Sequence, residues 1–290
     1  MAEYEPVRQQ LAAMFTPGMF GDPAATADAI FQAVDADEAP LPGARAVAPD
    51  DSPGLYGPSG LFGRSGERYR TPRRDRARNE EYNRKEVVMK AIVIGGGTIG
   101  SAVKKALEEK GHAVVSVGRK SGDYQADISD PNSLKALFSK IGPFDAVACA
   151  AGDVSFAPLE QTTDEQWASS IRAKGMGQID LVRTALPFIA DKGSFTLISG
   201  VLTDEYIAGG VIGAVVNHIV EGFVKAAAVE LPRGVRINCI SPTLLTESVA
   251  YYPYFPGFIP VDAREVGQAY LRAISNPFTG RILKLHKTDS

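Results

Sequence analysis

The stretch AIVIGGGTIGSAVKKAL, residues 91–107, decides the fold. A short β-branched apolar run ends in three consecutive glycines, and a helical period begins at once, over roughly 98–110. Gly95, Gly97 and Gly100 stand in the G-x-G-x-x-G spacing. The first permits a tight turn, the second lets backbone approach a pyrophosphate, and the third lets helix pack on strand. The helix N-terminus then presents free N–H groups and the positive end of its dipole to phosphate. A merely structural glycine-rich turn would not need three glycines in this register. Because the motif follows a strand, precedes a helix and opens a βαβ unit, it points to a dinucleotide site.

Working outward, apolar strand-like runs recur as AVVSV, YQADI, AVACA, SFTLIS, VRINCIS and RILKL. Helical periods fall between them at about 131–140, 164–190, 211–231 and 262–275. Such alternation predicts an α/β, Rossmann-type doubly wound parallel sheet of about seven strands with helices on both faces, over residues 89–290. The second strand ends in SVGRKSGD. An NAD site usually carries an acidic residue there, bonded to the ribose 2′-OH. This chain instead has Gly118, Arg119, Lys120 and Ser121. A guanidinium holds a 2′-phosphate by two parallel bonds, which favours NADP(H). An exposed basic turn is the alternative.

The chain has 290 residues, 44% of them hydrophobic, and a net charge of −3, which gives no global case for nucleic acid or an anionic membrane as partner. Its two cysteines, Cys149 and Cys239, lie in apolar runs and read as free core thiols, so no metal site is expected. No apolar run resembles a membrane span, and MAEYEPVRQQL lacks the apolar centre of a signal peptide. A cytoplasmic, soluble chain is the expectation.

From 89 onward the sequence resembles the short-chain dehydrogenase/reductase family, in a short, atypical branch. ADISD, 126–130, resembles the family's acidic motif, with Asp127 toward adenine. CAAGDV, 149–154, resembles its Asn-Asn-Ala-Gly motif, keeping Ala151 and Gly152. TLISG carries Ser199 at the catalytic serine position. The resemblance implies further cofactor contacts at Thr98, Ile99, Ile128, Ala150, Asn217 and Pro242. It also implies homodimers or homotetramers built through the helices at 164–190 and 211–231.

The departures concern proton transfer. Registering on EGFVKAAAVEL puts Gly213 where the family has its tyrosine acid and Asn217 where it has its lysine. Lys174, in WASSIRAKGMG, stands where a catalytic asparagine is usual. Three residues are therefore candidates for catalysis: Ser199, Lys174 and Tyr206. Lys174 is otherwise a helix-end lysine, and Tyr206 otherwise a packed loop aromatic. His218 lies about 100° round the helix from Asn217 and reads as facing a partner helix. Glu247 reads equally as a cofactor neighbour or as a cap on the next turn. The aromatics of YYPYFPGF, 251–258, read either as a lid over an apolar pocket or as an oligomer contact. The expected function is an NADP(H)-dependent oxidoreductase acting on a carbonyl/alcohol pair with a non-standard proton donor. The alternative is a catalytically degenerate NADP(H)-binding sensor or assembly partner.

Residues 1–88 differ in character. DPAATADAIFQAV, 22–34, reads as one amphipathic helix within a segment 1–41. The stretch 42–88 is a Gly/Pro/Arg-rich linker, expected to be disordered. Its part 64–86 mixes nine basic with five acidic side chains, which suits a solvated linker better than a nucleic-acid arm. AATADAIFQAV resembles AREVGQAYLRAI, 263–274, the closing helix of the main domain. A complete domain has one groove for such a helix. The expectation is that Met89 is the true start and that 1–88 is the tail of a neighbouring dehydrogenase gene plus translated spacer. A genuine regulatory arm is the competing reading.

Overall fold

The computed structural model describes residues 88–287. The expected helix at 22–34, the segment 1–41 and all of the linker 42–88 except Val88 lie outside the described residues.

Seven strands form one parallel sheet: β1 (Lys90–Ile94), β2 (Ala113–Gly118), β3 (Tyr124–Gln125), β4 (Phe144–Cys149), β5 (Ile189–Ile198), β6 (Arg236–Pro242) and β7 (Ile282–Leu285). Their spatial order is β3-β2-β1-β4-β5-β6-β7. The chain winds outward from β1 to β3, then returns to β4 and winds the other way. The reversal between β1 and β4 opens a crevice at their carboxyl ends, where such sheets bind ligands.

Side chains of β1 alternate between two cores. Ala91 and Val93 face a cluster with Val103 and Leu107 of helix α1 (Thr98–Glu108) and Tyr270 of helix α6 (Ala263–Ser275). Ile92 and Ile94 face Phe138 of α2 (Pro131–Ile141), Leu181 of α4 (Gly177–Ala185) and Val220 of α5 (Val211–Glu230). Helices therefore cover both faces, as the near-continuous apolar strands require. Tyr270, fully buried, donates its hydroxyl hydrogen bond to Cys149 O at 2.6 Å and ties α6 to the end of β4.

Three elements differ from their sequence-based expectation. The helix read over 164–190 is α3 (Asp164–Ser170), a π-helical turn (Ile171–Met176) and α4, which stops at Ala185. Glycine permits the close packing here: a Cβ on Gly175 would stand 3.3 Å from Ile219 of α5, and one on Gly177 would stand 3.1 Å from Ile128. Strand β5 begins at Ile189, earlier than SFTLIS suggested, and absorbs the extra length in a register shift against β4 near Lys192, whose φ is 61°. Strand β3 has only two residues, because Ala126, Asp127 and Ile128 leave the ladder to line the crevice.

By length and composition α5 passes as a membrane span, with a mean hydropathy of 1.4, yet its Asn217 and Glu221 are buried against the sheet domain. It is a core helix. Only 39% of that apolar window is buried, and Val215 and Val229 are exposed.

Candidate active site

The crevice encloses about 320 Å³. Its floor is the turn from β1 to α1. Gly95 has φ +124°, and a Cβ there would stand 2.5 Å from Ala150 O. On Gly100 a Cβ would strike Gly95 O at 1.7 Å. At Gly97 the same Cβ meets nothing within 4 Å. The first and third glycines are thus required by the protein's own packing, whereas the second faces open space. No side chain caps α1 at Gly97. This open, uncapped helix end has the shape and polarity that a pyrophosphate needs.

The walls contain most of the expected cofactor residues. Gly95, Gly97, Arg119, Asp127 and Ile128 line the crevice from one side, and Ala150, Ala151 and Gly152 from the other. Asp127 accepts hydrogen bonds from Ser129 N (2.8 Å) and Ser129 Oγ (2.7 Å). Those bonds, with the charge of Arg119, hold its carboxyl below the usual range. Ser121 Oγ lies 2.8 Å from where a Cβ on Gly96 would stand, so the turn after β2 folds against the phosphate loop. Lys120 is exposed beside it. Thr98, Ile99 and Gly100 begin α1 behind the loop. Pro242 ends β6, buried and paired in register with Leu285, outside the crevice wall. Asp153 was not anticipated: its carboxylate accepts from Arg119 Nη2 at 2.7 Å across the crevice mouth, with both side chains mostly exposed.

The second group of residues lies beneath Gly152. A Cβ on Gly152 would overlap the Lys174 side chain, 2.5 Å from its Cγ, so the lysine stem packs on the crevice wall. The π-helical turn carries Lys174 inward, a backbone form often found at functional sites. Lys174 Nζ donates to Asn217 Oδ1 at 2.6 Å and to Ser199 O at 2.9 Å. Burial pulls its ammonium down to about 8. Where the family resemblance led to an asparagine on this helix and a lysine on α5, the structure has the two exchanged and in direct contact. The cation is kept and arrives from the opposite side.

Ser199 follows β5, and its hydroxyl donates to Glu221 Oε1 at 2.7 Å. Glu221 is 5% exposed and also accepts from Thr203 Oγ1 at 3.1 Å. Sequence reasoning missed Glu221. Its signal was present: a carboxylate inside the apolar run VVNHIVEGFV, four residues after Asn217 and hence on the same helix face. Gly213, one turn before Asn217, supplies no acid. The space beside it is filled by Leu202, whose Cδ1 lies 3.1 Å from a Cβ built at 213, with Phe156 at 3.8 Å.

The structure does not bring Tyr206 into this group. Its side chain is 68% exposed and makes no hydrogen bond among the described residues. His218 is exposed and contacts its own helix at Ala214 O, 2.9 Å. Glu247 accepts from Ala263 N at 3.1 and 3.2 Å and so caps α6. In YYPYFPGF, Phe255 and Phe258 meet edge to face at 5.3 Å and pack on Val201, Leu202 and Ala214, while Tyr251 and Tyr254 point to solvent. A larger groove, about 970 Å³, runs between α1, α6 and β7. Its rim mixes Lys105, Glu109, Arg264 and Glu265, and Ser199, Lys174 and Glu221 are not part of it.

Comparison with known proteins places this arrangement. A solved protein from Listeria innocua is 41% identical, with a TM-score of 0.67, covering 69% of this chain and all of its own. A small-chain dehydrogenase solved in complex with NADPH is 26% identical, with a TM-score of 0.62, covering 69% and 97%. The hydroxynaphthalene reductase of Aspergillus fumigatus is 27% identical over 176 residues, 52% of this chain. The chain spans 64% of that relative and 58% of an NAD-dependent oxidoreductase of Mycobacterium tuberculosis. A family profile described as enoyl-(acyl carrier protein) reductase matches residues 95–265. With the parallel sheet, the glycine turn and the serine after β5 in their expected places, the chain belongs to the short-chain dehydrogenase/reductase family.

Proposed function

We propose that the protein is an NADP(H)-dependent oxidoreductase that interconverts a carbonyl and an alcohol by hydride transfer, with a non-standard proton donor. The observation that carries the reading is the contact between the two groups of residues. Lys174 packs on Gly152 in the crevice wall and holds Ser199 and Asn217 with its ammonium. Through Lys174 the buried polar side chains lie directly behind the crevice wall at Gly152, although none of Lys174, Ser199, Asn217 and Glu221 lines the crevice itself.

The residues present suit such a cofactor. The N–H groups at Gly97, Thr98 and Ile99 would hold the pyrophosphate, and Arg119, Lys120 and Ser121 the 2′-phosphate. Asp127 and Ile128 would flank the adenine, and Asn217 with Lys174 the nicotinamide ribose. When bound, the cofactor supplies or accepts the hydride. Ser199 would orient the substrate oxygen, and Lys174 would place positive charge where alkoxide character develops. Phe255, Phe258 and Leu202 offer an apolar wall for the rest of the substrate. The exposed apolar side of α5 supports a homodimer or homotetramer, and the two free, buried cysteines suit a cytoplasmic location.

One observation favours the alternative, a catalytically degenerate NADP(H)-binding sensor: the tyrosine position is a glycine, and its space is filled by Leu202 and Phe156. Fluorescence titration with NADPH and NADH, followed by turnover over a panel of aldehydes, ketones and quinones, separates the readings. Binding with carbonyl-dependent oxidation supports the enzyme. Binding without any turnover supports the sensor.

A further inference from the structure

Glu221 is a buried carboxylate with no ion pair among the described residues, and the side chains that bond to it are two hydroxyls. From it a chain of polar groups leads to the surface. Ser199 Oγ lies 2.7 Å from Glu221 Oε1, and Thr203 Oγ1 lies 3.1 Å from the same oxygen. Thr203 Oγ1 is also 3.2 Å from Asp204 Oδ2, and Asp204 Oδ2 is 3.6 Å from His286 Nδ1. Asp204 Oδ1 accepts from Lys284 Nζ at 2.5 Å. Asp204 is about one-third exposed, so the chain ends in solvent.

The Thr203 hydroxyl makes this arrangement specific. It carries one hydrogen but faces two carboxylate oxygens and, at 3.3 Å, Gly200 O. If both carboxylates are ionised, that hydrogen serves one and leaves a lone pair facing the other. One additional proton resolves the conflict: Glu221 donates to Thr203, and Thr203 donates to Asp204, which Lys284 keeps anionic. Burial opposes ionisation of Asp204, but the Lys284 hydrogen bond and charge outweigh it and hold its carboxyl below the usual range. The geometry thus has a place for a single labile proton, beside the hydroxyl that the substrate oxygen would meet.

We propose that Glu221, acting through the Ser199 hydroxyl, holds the proton taken up by the reduced carbonyl, and that Thr203 and Asp204 refill it from solvent. The proposal rests on the carbonyl-reduction reading above. The Ser199 hydroxyl turns from Glu221 to the substrate oxygen, and the Glu221 proton turns from Thr203 to Ser199 Oγ; as the carbonyl carbon gains its hydride, the C=O π bond breaks and the oxygen takes the Ser199 proton. Ser199 Oγ takes the Glu221 proton, leaving a carboxylate. A solvent proton then enters at Asp204 and reaches Glu221 by way of Thr203. Carbonyl, NADPH and one proton give alcohol and NADP⁺. In the reverse direction the carboxylate is the base. Glu221 is a positioning and relay residue, and Ser199 is the group that touches substrate. The charged and titratable groups around Glu221 are Cys239 from β6, Asp204, and Lys284 and His286 from the end of β7, while Lys174 from the π turn bonds Ser199 O and Asn217.

The test uses the full chain with NADPH and two probes, para-nitrobenzaldehyde and phenanthrenequinone. Glu221→Gln should bind NADPH as the parent does but lower kcat roughly 10²–10⁴-fold, the usual contribution of a positioned acid–base group. The pH profile of kcat should change shape in this variant. Glu221→Asp should restore part of the rate and the pH dependence. Thr203→Val keeps Glu221 but cuts the path, and should lower kcat with an enlarged solvent isotope effect. Infrared difference spectra during a pH titration give a readout independent of turnover: a protonated-carboxyl band present in the parent and absent in Glu221→Gln. Absence of that band, or a Glu221→Gln variant with unchanged kcat and pH profile, overturns the proposal. A titrating band without turnover of either probe upholds the proton store and overturns the carbonyl-reduction reading instead.

Discussion

The crevice and the buried polar group beneath Gly152 are built on different principles. The phosphate side, from β1 through Asp127, works with backbone: three glycines, an uncapped helix end and a turn that follows β2. The chemistry side, from the π turn through α5, works with side chains far apart in sequence: Lys174, Ser199, Asn217 and Glu221. The first side keeps the pattern expected of a dinucleotide site. The second keeps the serine and a cation but rearranges their partners. Backbone recognition is fixed by conformational needs that tolerate little change, as the Gly100 contact with Gly95 O shows. A side-chain network can be rewired if every buried polar group still finds a partner.

The comparison breaks first, and most severely, at Ser199. Ser199→Ala should leave NADPH affinity unchanged and lower kcat roughly 10²–10⁴-fold, since on the proposed mechanism the substrate oxygen would lose both its orienting group and its proton path. Steady-state kinetics with cofactor titration checks this. Equal losses in affinity and turnover would show that the two sides do not work separately.

Gly97→Val tests the backbone side. A side chain there meets no protein atom within 4 Å, so the variant should melt within a few degrees of the parent. It should nevertheless lose at least about 100-fold in NADPH affinity, on the order of 2.7 kcal/mol, by occupying the pyrophosphate space. Gly100→Val, by contrast, should fail to fold properly.

That contrast also marks what was legible in the sequence. The glycine spacing, the seven alternating strands and both helix layers could be read because each follows from local periodicity or from a turn only glycine can make. The break in the helix at 171–176 could not, since it depends on how Gly175 and Gly177 pack against α5 and Ile128. The cation was visible at Lys174 and its loss at 217, but the bond between them joins residues 43 positions apart. Tyr206 lies seven residues after Ser199 in sequence, yet the turn Val201–Thr203 leads it out to solvent. Glu221 went unread because an acid in an apolar helix looks like surface until the helix has a known face.

A smaller effect is expected at Arg119. Arg119→Ala should erase most of any preference for NADPH over NADH, on the order of 1–3 kcal/mol, read from paired binding curves. Equal affinities in the parent would remove the guanidinium from the 2′-phosphate site.

Lys174 gives a pH-dependent test of the buried side. Unfolded, it keeps its proton to about 10.5, whereas burial in the fold lowers this to about 8. Between those values the unfolded state binds more protons, so this group's contribution to stability is lowest below 8 and rises toward 10.5. Compared with Lys174→Met in urea denaturation, the parent should gain roughly 1–3 kcal/mol across that window. A constant difference would mean that the ammonium is not desolvated.

The smallest effect belongs to the Arg119–Asp153 pair at the mouth. Exposed pairs contribute roughly 0–1 kcal/mol. Asp153→Asn frees the guanidinium and should tighten NADPH about two- to five-fold, with NADH unchanged. A matching gain for NADH would point to general charge rather than to competition for Arg119.

The most direct test of a rewired but working site is hydride transfer itself. The parent and Ser199→Ala are each incubated with NADPH deuterated at its transferable position and a carbonyl panel, and the alcohols are analysed by mass spectrometry. Deuterium is expected at the carbinol carbon of at least one product, formed slowly by the parent and far more slowly by Ser199→Ala. Tight NADPH binding with no deuterium in any product would contradict it and leave a cofactor binder without chemistry.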